Sequence, residues 1–438
     1  MTELNLGYPP GPTDSSAALR DFQQNPVVFL CGLYQTYGDF AHYQLKDTHV
    51  YLINNPEHLR AILVELNDVM DRTQLTKDTI GRFLGEGLVV SAGSLHKKQR
   101  RTIQPVFTPA AVAQYAPIII ECTTHMLDNW QDGEIRDIAQ DMMVLTMEIV
   151  YRTIFGSTPI GISDDIKSAI TVFQQYSGQR LARSQGITDE QVQVATDHLG
   201  VIVSQLIEQH KETGISDLLS RLLSIVDPET NLSMSHAQVH AEALNLFVAG
   251  QEASANGLAW TWYMIAQHPE VEAKLDQELR RVVGGEVANA NHLSMLTYVE
   301  RVLKESMRLY PPAWLIGRTP TERVDIGGYP VERGASLAIC SYVFHRNPNV
   351  FPEPERFIPD RFEREPPRYT YLPFGSGAHV CIGGSFAMLE MALILVTVLQ
   401  NYRFELVADH PIEVNPLITL RPKYGIKMKV IRKKPGKA

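Results

Sequence analysis

The spacing of hydrophobic and polar residues along this chain predicts a protein that is mostly helical. Two alternating stretches near the N-terminus, 41–45 and 50–54, have the period of a strand and predict a hairpin. The helical period covers the longest parts of the chain, which are 56–66, 109–225, 235–267, 270–283 and 296–309. Strand-like pieces return at 323–339 and 413–430. The expected fold class is mainly α with small β-sheets.

Length and composition favour one large globular unit. The chain has 438 residues, of which 44% are hydrophobic, and no Gly/Ser tract, charge run or internal repeat divides it. We therefore predict a single domain over 1–438 with a proline-rich N-terminal segment over about 1–20. The net charge of −9 is spread along the sequence, so we expect no nucleic-acid partner.

Cysteine usage and the N-terminus indicate the compartment. The spacing of the four cysteines suggests neither a zinc site nor a disulfide framework. The first residues lack the basic and apolar regions of a signal peptide. We expect no membrane anchor, because no run of about 18 apolar residues is present. These features predict a cytoplasmic protein in a reducing compartment.

Cys381 has the most specific chemical context in the chain. It follows the glycine-bearing stretch 374–380 and precedes the apolar helical run 385–399. Backbone N–H groups and the positive end of the helix dipole would favour a thiolate at this position. Such a thiolate is a candidate axial ligand of heme iron, where it promotes O–O cleavage. The alternative is an ordinary buried cysteine.

The residues around Cys381 favour the heme ligand. They resemble, position by position, the heme-ligand loop of the cytochrome P-450 family at Phe374, Gly375, Gly377, His379, Cys381 and Gly383. The resemblance implies heme b as the cofactor, Cys381 as its metal ligand and a single-domain cytochrome P-450 fold. Residues 370–402 would form the loop and the following helix. The segment 8–12 resembles the hinge that follows the anchor of membrane-bound relatives, so the chain resembles the soluble, bacterial type.

The resemblance also implies four residues that bind the heme propionates. His96 and Arg100 are spaced four residues apart and share one face of a predicted helix. Arg318 occupies the position of the family's strand arginine, and His379 belongs to the ligand loop. Cationic donors suit carboxylates. The alternative for each residue is a solvated surface charge.

Glu305 and Arg308 are spaced i, i+3 on one predicted helix, where an acid and a base can pair. Taken alone, the pair predicts a weak surface interaction. In the family, an arginine at the position of Arg356 joins a buried network with this pair. The resemblance implies that Glu305, Arg308 and Arg356 hold the heme pocket and take no part in the chemistry.

The predicted helix over about 235–267 carries a glycine at its centre, which costs about 1 kcal/mol relative to alanine and needs a reason. One reason is simple packing of two helices. The other is the family's oxygen groove, where small residues let the helix pass close over the heme. The resemblance assigns this groove to Ala249, Gly250, Glu252, Ala253 and Ser254.

Ala253 departs from the family, because most relatives carry threonine at this position. That hydroxyl organises water and proton delivery to dioxygen. Ser254 could turn inward, although it lies about 100° round the helix. Glu252 could relay protons through water, or a hydroxyl of the substrate could stand in. A further alternative is chemistry other than oxygen activation.

A substrate pocket can be assigned by resemblance from several segments. Its predicted lining is apolar and consists of Leu84, Leu88, Val89, Phe247, Val248, Trp314, Leu315, Ile316 and Ile418. The alternative for each of them is a plain core residue. Together they imply a lipophilic substrate such as a terpenoid, a steroid or a fatty acid. Segment 174–193 is more polar and is interpreted as part of a lid.

The function that follows is a heme-thiolate monooxygenase, which inserts one oxygen atom from dioxygen into its substrate. No glycine fingerprint for a nucleotide follows a predicted strand, so electrons are expected from a separate ferredoxin or flavodoxin and an NAD(P)H reductase. The enzyme is expected to be a monomer. A peroxygenase or hydroperoxide-rearranging enzyme is the alternative, and a non-catalytic heme sensor is a third hypothesis.

Overall fold

The fold is described from a computed structural model, which covers residues 7–156, 164–181, 186–213 and 217–433. The helices of the first half are α1 Ser15–Gln24, α2 Pro26–Tyr37, α3 Pro56–Arg60, α4 Gln74–Thr76, α5 Arg82–Leu84, α6 Gly93–Ile103, α7 Pro109–Ala113, α8 Ala116–Asp128, α9 Ile138–Phe155, α10 Asp164–Leu181 and α11 Asp189–Thr213. Those of the second half are α12 Leu218–Ser224, α13 His236–Gln267, α14 Pro269–Val282, α15 Ala290–Leu293, α16 Thr297–Leu309, α17 Ser341–Phe344 and α18 Gly384–Asn401.

The strands are short and form four small sheets within these residues. They are β1 Phe40–Leu45, β2 Thr48–Ile53, β3 Met70–Asp71, β4 Ile135–Asp137, β5 Leu315–Pro320, β6 Val324–Ile326, β7 Tyr329–Val331, β8 Ser336–Cys340, β9 Tyr402–Leu406, β10 Val414–Pro416, β11 Leu420–Pro422 and β12 Lys427–Arg432. The largest sheet has the order β1-β2-β8-β5-β3. The expected fold class, mainly α with small β-sheets, is confirmed.

Local sequence signals set most of the element boundaries. The predicted hairpin is the antiparallel pair of β1 and β2, in which Phe40 lies opposite Ile53. Asn55 caps α3 and Pro56 occupies its first turn, where a missing N–H costs nothing. The predicted helix over 56–66 does not continue as one α-helix, because the chain changes to a π-helical turn at Ala61–Glu65.

The long helix α13 crosses the centre of the molecule. Ser235 caps it by accepting a hydrogen bond from the Gln238 N–H, and α14 begins at Pro269 directly after its end. Most of its residues are buried, and it packs against α9, α16 and α18. A Cβ on Gly257 would lie 2.9 Å from the Met391 Sδ of α18, so glycine lets these helices approach closely.

The apolar core surrounds α13 and α18. Within the described residues, α18 is the one helix long and apolar enough to cross a membrane, and 67% of it is buried inside the protein. A second cluster lies under the largest sheet, and a third joins α1 and α2 to that sheet. Residues 1–6 of the proline-rich segment and 182–185 of the predicted lid lie outside the described residues.

Candidate active site

The stretch before α18 folds into a tight loop that presents Cys381. The Cys381 N–H donates to the Phe374 carbonyl at 2.8 Å, and the Gly375 N–H donates to the Leu372 carbonyl at 3.0 Å. Gly377 has a φ of +71°, and a Cβ on it would lie 2.1 Å from the Leu63 carbonyl oxygen. Only glycine therefore allows this loop to approach the neighbouring helical turn so closely.

Cys381 lines a cavity of about 360 Å³. The accessible surface of the Cys381 side chain forms part of the cavity wall. Burial raises the pKa of the Cys381 thiol, whereas the Gly383 N–H and Arg100 act in the opposite direction. Coordination to a metal removes such a proton outright. The expected metal ligand is thus placed where a cofactor can reach it.

Four parts of the fold contribute the predicted site residues to the wall of this cavity, which α9 and other segments complete. They are the middle of α13, the region around α6 with its preceding loop, β5 with the turn before it, and the Cys381 loop with the start of α18. Phe374, Gly375, His379 and Gly383 of the predicted cofactor site all line it. The cavity wall is mostly apolar, which suits a flat aromatic cofactor and a lipophilic substrate.

A cluster of cations lies at one side of the cavity. The predicted residues His96, Arg100, Arg318 and His379 all line the cavity there. The His96 and His379 rings are 3.8 Å apart between centroids. Arg100 donates to the Val380 carbonyl, which fixes α6 against the Cys381 loop.

Electrostatics make this cluster a site for an anion. Burial, followed by the neighbouring arginines, lowers the pKa of His379 to about 2 and that of His96 to about 4, so both rings are neutral at pH 7 and the positive charge of the cluster belongs to its arginines. The same causes lower the pKa of Arg318 to about 9. No salt bridge within 4.0 Å joins Arg100 or Arg318 to a carboxylate of the described residues. Buried positive charge of this kind calls for an anionic ligand.

The residues fit heme b. The cation cluster offers partners for its two propionates, the apolar walls suit the macrocycle, and Cys381 offers the sulfur that would bind iron. The buried arginines without a carboxylate partner within 4.0 Å are the observation in this structure that supports an anionic cofactor. When bound through a thiolate, heme supplies the activation of dioxygen.

Arg72 is a member of this cluster that the sequence did not reveal. It follows β3 and donates from Nη2 to the His379 Nδ1 at 3.0 Å, while its Nε is buried without a partner in the described residues. Burial lowers its pKa to about 10. The pairing of β3 with β5 brings Arg72 to the cluster, and no local sequence pattern predicts that pairing.

We expect Arg72→Gln to weaken heme retention. A charge-assisted hydrogen bond contributes about 1.5–3 kcal/mol, so heme loss should become about 10–160 times faster. The rate can be measured by transfer of heme to an excess of an apoprotein that captures it. Arg82→Gln is the matched control, because Arg82 pairs with Asp189 at the surface. Equal rates for the two variants would remove Arg72 from the site.

One face of α13 forms the wall opposite Cys381. Ala249, Gly250, Ala253 and Ser254 all line the cavity, as their i, i+4 spacing allows. A Cβ on Gly250 would lie 3.2 Å from Val150 of α9, so this glycine also serves helix packing. The packing interpretation of the glycine therefore applies, and the oxygen groove stays a prediction. Ser254 also lines the cavity, so its hydroxyl lies where it could replace the missing threonine hydroxyl at residue 253.

Glu252 does not line the cavity, which corrects its assignment to the groove. Its carboxylate accepts from the Arg421 Nε at 2.6 Å, from the Gln174 Nε2 at 3.0 Å and from the Thr419 hydroxyl. The helical period turns it about 200° away from Ser254. Glu252 instead fastens α10 and β11 to α13. A proton relay through Glu252 is not formed in this arrangement.

The structure places only three of the residues predicted for the substrate pocket at the cavity. Leu88, Val89 and Ile316 line the cavity. Six other predicted residues do not line it, and these are Leu84, Phe247, Val248, Trp314, Leu315 and Ile418. Positions that the sequence did not assign to the pocket complete the wall, among them Phe107, Thr153, Ile154 and Leu218.

The misassigned residues belong to the core. Phe247 faces away from the cavity and packs against Phe155 of α9, with ring centroids 6.0 Å apart. Trp314 is fully buried, and its Nε1 donates to the Leu417 carbonyl at 2.8 Å. An uninterrupted apolar stretch contains no polar residue that would mark its outer face. The sequence alone could not separate pocket from core here.

Glu305 and Arg308 form a buried ion pair on α16. The Arg308 Nε and Nη2 donate to the two Glu305 oxygens at 2.7 and 2.9 Å, and both side chains are fully buried. The third member of the network is Arg361, whose Nε donates to Glu305 at 3.0 Å. Arg356 was assigned this role in error, because its side chain is 68% exposed and pairs with Glu353. Arg356 contributes only its carbonyl, which accepts from Arg308.

The network extends to the Cys381 loop through His345. Arg308 donates to the His345 carbonyl at 3.0 Å, and the Leu372 N–H donates to the His345 Nε2 at 2.8 Å. Burial lowers the pKa of His345 to about 3, so the ring is neutral and can accept this bond. Leu372 in turn accepts from Gly375. The ion pair thus supports the loop that presents the sulfur.

Comparisons with known proteins agree with this site. The family model described as cytochrome P-450 matches residues 9–430. Cyclooctatin synthase of Streptomyces melanosporofaciens is 31% identical over 91% of this chain and 89% of its own. Cyclooctat-9-en-7-ol 5-monooxygenase of the same organism is 32% identical over 87% and 85%. Pentalenene oxygenase of Streptomyces avermitilis is 26% identical over 98% of both chains.

The match covers nearly all of the described fold, including the Cys381 loop, the cation cluster and the Glu305 network. The expected resemblance is therefore confirmed. Members of this family bind heme b through a cysteine thiolate. The chain belongs to the cytochrome P-450 family and is a heme-thiolate monooxygenase, and its relatives imply a lipophilic substrate, dioxygen and redox partners.

Proposed function

We propose that this enzyme hydroxylates a cyclic terpenoid that already carries a hydroxyl group. The observation that carries the proposal is the cavity beside Cys381, which is apolar and has Ala253 where a threonine hydroxyl is usual. One relative is named for oxidation of a cyclic alkenol, cyclooctat-9-en-7-ol, at a second position. A hydroxyl on the substrate would add a polar group beside Ala253.

Polar anchors for a charged substrate are few. The Asn245 amide is occupied, because it donates to the Leu84 carbonyl at 2.9 Å and accepts from the Val89 N–H at 3.3 Å. The cationic residues of the cavity are gathered in the propionate cluster. A fatty acid would need a separate cation for its carboxylate. These features favour a neutral ring system over a fatty acid.

Electrons are proposed to come from a separate ferredoxin or flavodoxin, which an NAD(P)H reductase would reduce. Lys97 and Lys98 are exposed on α6, the helix whose Arg100 contacts the Cys381 loop. Exposed cations close to the ligand loop suit an acidic electron donor. The enzyme is proposed to act as a monomer in the cytoplasm.

We expect a cyclic terpene alcohol to bind more tightly than its parent hydrocarbon. The test is an optical titration of the ferric protein with such a pair, a steroid and a fatty acid. A hydrogen bond of the added hydroxyl contributes about 1 kcal/mol, which corresponds to about fivefold tighter binding. Equal affinity for the pair, or a saturable shift of the heme spectrum with the fatty acid alone, would contradict the proposed substrate.

Product formation should require NAD(P)H, reductase and ferredoxin. Turnover with peroxide alone would contradict the proposed electron route.

A further inference from the structure

The segment 85–90, which joins α5 to α6, forms part of the cavity wall. Leu88 and Val89 line the cavity, and the segment contains no helix or strand of its own. Within the segment, the Val90 N–H donates to the Gly87 carbonyl at 3.0 Å, as in a single turn. One turn does not fix a surface segment by itself. The position of this wall therefore depends on what the segment contacts outside itself.

Two side chains of α13 hold the backbone of this segment. The Leu88 N–H donates to the Glu242 Oε2 at 3.0 Å, and the Val89 N–H donates to the Asn245 Oδ1 at 3.3 Å. The Asn245 amide also donates to the Leu84 carbonyl at 2.9 Å. The N–H groups of the two wall residues and the carbonyl that precedes the segment are thus satisfied by α13.

The segment lies so close to α13 that glycine is required in it. A Cβ on Gly87 would lie 2.2 Å from the Asn245 Nδ2, and Gly85 has a φ of +69°, which other residues rarely adopt. From α6, the Gln99 Nε2 donates to the Glu86 carbonyl at 2.7 Å. The segment is therefore fastened to two helices by buried polar side chains.

Glu242 is a buried carboxyl that titrates near neutral pH. Its side chain is fully buried, and its second oxygen accepts from the Gln238 Nε2 at 2.6 Å. Burial raises the pKa of Glu242 to about 7, whereas the bonds from Leu88 and Gln238 act in the opposite direction. No charged side chain contributes to this shift. The protonation of Glu242 therefore depends on how well water is excluded from it.

The charged side chains of the elements around this part of α13 are engaged elsewhere. They are Arg82 of α5, which pairs with Asp189 of α11, Arg221 of α12, which donates to Gln114, His240 of α13, which contacts the Gly200 carbonyl, and Glu86 of the segment, which is exposed. A change in pH near 7 is therefore expected to act on Glu242 itself.

Closure of the segment is linked to the proton on Glu242. If the segment left α13, water would reach the carboxyl and its pKa would return toward the ordinary value of 4.5. The closed arrangement therefore holds the proton more tightly than the open one, so opening becomes easier as the pH rises through about 7. In the protonated form the carboxyl still accepts from Leu88, and its O–H can donate to the Gln238 amide after that amide turns.

We propose that Glu242 and Asn245 are positioning residues that select the substrate by fixing the 85–90 segment against α13. Leu88 and Val89 then form a wall of constant shape, and a lipophile must fit this wall because it cannot displace it. Glu242 does not line the cavity and acts only through the backbone of Leu88. The inference does not rest on the substrate class proposed above.

The first test is amide hydrogen exchange of the segment 85–90 in the heme-bound protein without substrate. In the wild-type protein, the protection factor should fall about tenfold from about pH 6 to about pH 8.5, after correction for the intrinsic exchange rate. Glu242→Gln keeps an acceptor for the Leu88 N–H and cannot ionise, so its protection should not depend on pH. Glu242→Leu has no acceptor and should be poorly protected at both pH values.

Glu278→Gln is the matched control for these variants. Glu278 is another buried carboxyl that accepts from backbone N–H groups, those of Tyr298 and Val299, but it does not line the cavity. Its replacement should leave the exchange of the segment 85–90 and its pH dependence as in the wild-type protein.

The second test measures selection by optical titration with a cyclic terpene alcohol and a bulkier steroid. A wall that moves fits both molecules, so Glu242→Leu should bring their dissociation constants about fivefold closer together, as expected from the loss of one hydrogen bond of about 1 kcal/mol. Glu242→Gln, which keeps the bond, should retain the wild-type ratio of the two constants.

Three outcomes would overturn the proposal. The first is wild-type protection of the segment 85–90 in folded Glu242→Leu. The second is a pH dependence that persists in Glu242→Gln, because another group would then control the segment. The third is an unchanged ratio of dissociation constants in a Glu242→Leu protein that has lost protection. If Glu242→Leu does not fold, the pH profiles of the wild-type protein and Glu242→Gln decide. An incorrect substrate class would leave the exchange results as expected, since they are measured without substrate.

Discussion

Replacing Cys381 by serine is expected to abolish oxygenation while leaving the fold in place. Cys381 is the one described cysteine on the cavity wall, and its N–H is already engaged by Phe374 in a bond that serine can keep. An alcohol is a much poorer anionic ligand than a thiol, so the electron donation that promotes O–O cleavage is lost. The ferrous–carbonyl spectrum should lose the long-wavelength band of thiolate ligation, and product should fall below detection.

The control for this variant is Cys31→Ser. Cys31 is half-buried on α2, far from the cavity lining, and it should keep both the spectrum and the activity. Circular dichroism of the two variants should be the same. A Cys381→Ser protein with an unchanged carbonyl spectrum would show that another residue binds the iron.

Removing Arg361 is expected to destabilise the heme-bound protein strongly. Its side chain is 12% exposed and donates to Glu305, which is fully buried. Glu305 keeps its ion pair with Arg308 in this variant, so the expected cost is that of the lost charge-assisted hydrogen bond from Arg361, about 1.5–3 kcal/mol. Since His345 links this network to the Cys381 loop, heme should be released at lower urea concentration in Arg361→Ala. Heme absorbance and circular dichroism followed during urea titration provide the measurement.

Arg356→Ala is the matched control, since it removes an arginine from the same segment. The Arg356 side chain is 68% exposed, and its ion pair with Glu353 is worth about 0–1 kcal/mol. Its carbonyl, which accepts from Arg308, is kept in the alanine variant. If both variants lost the same amount of unfolding free energy, the stability of the network would not depend on the side chain of residue 361.

The elements with strong local signals were predicted correctly. The long helix expected over 235–267 is observed at His236–Gln267, because Ser235 caps its start and Pro269 begins the next helix. The loop around Cys381 was recognisable because its glycines are needed at fixed positions, as the contact of Gly377 with Leu63 shows. Such signals lie within a few residues of the structure that they determine.

The errors concern contacts between distant parts of the chain. Arg356 and Arg361 both follow a proline-rich turn, and only the three-dimensional path of that turn decides which one reaches Glu305. Glu252 is polar and adjacent to the groove, but its orientation is set by Arg421, which lies 169 residues further on.

The buried cations around His379 have a consequence for how the protein matures in the cell. Arg72, Arg100 and Arg318 line one cavity, and burial lowers the pKa of each of them. Their mutual repulsion opposes closure of this region until a dianion arrives. A ligand that binds only the folded state raises the folded fraction by mass action. We therefore expect the heme-bound protein to resist proteolysis better than the heme-free protein.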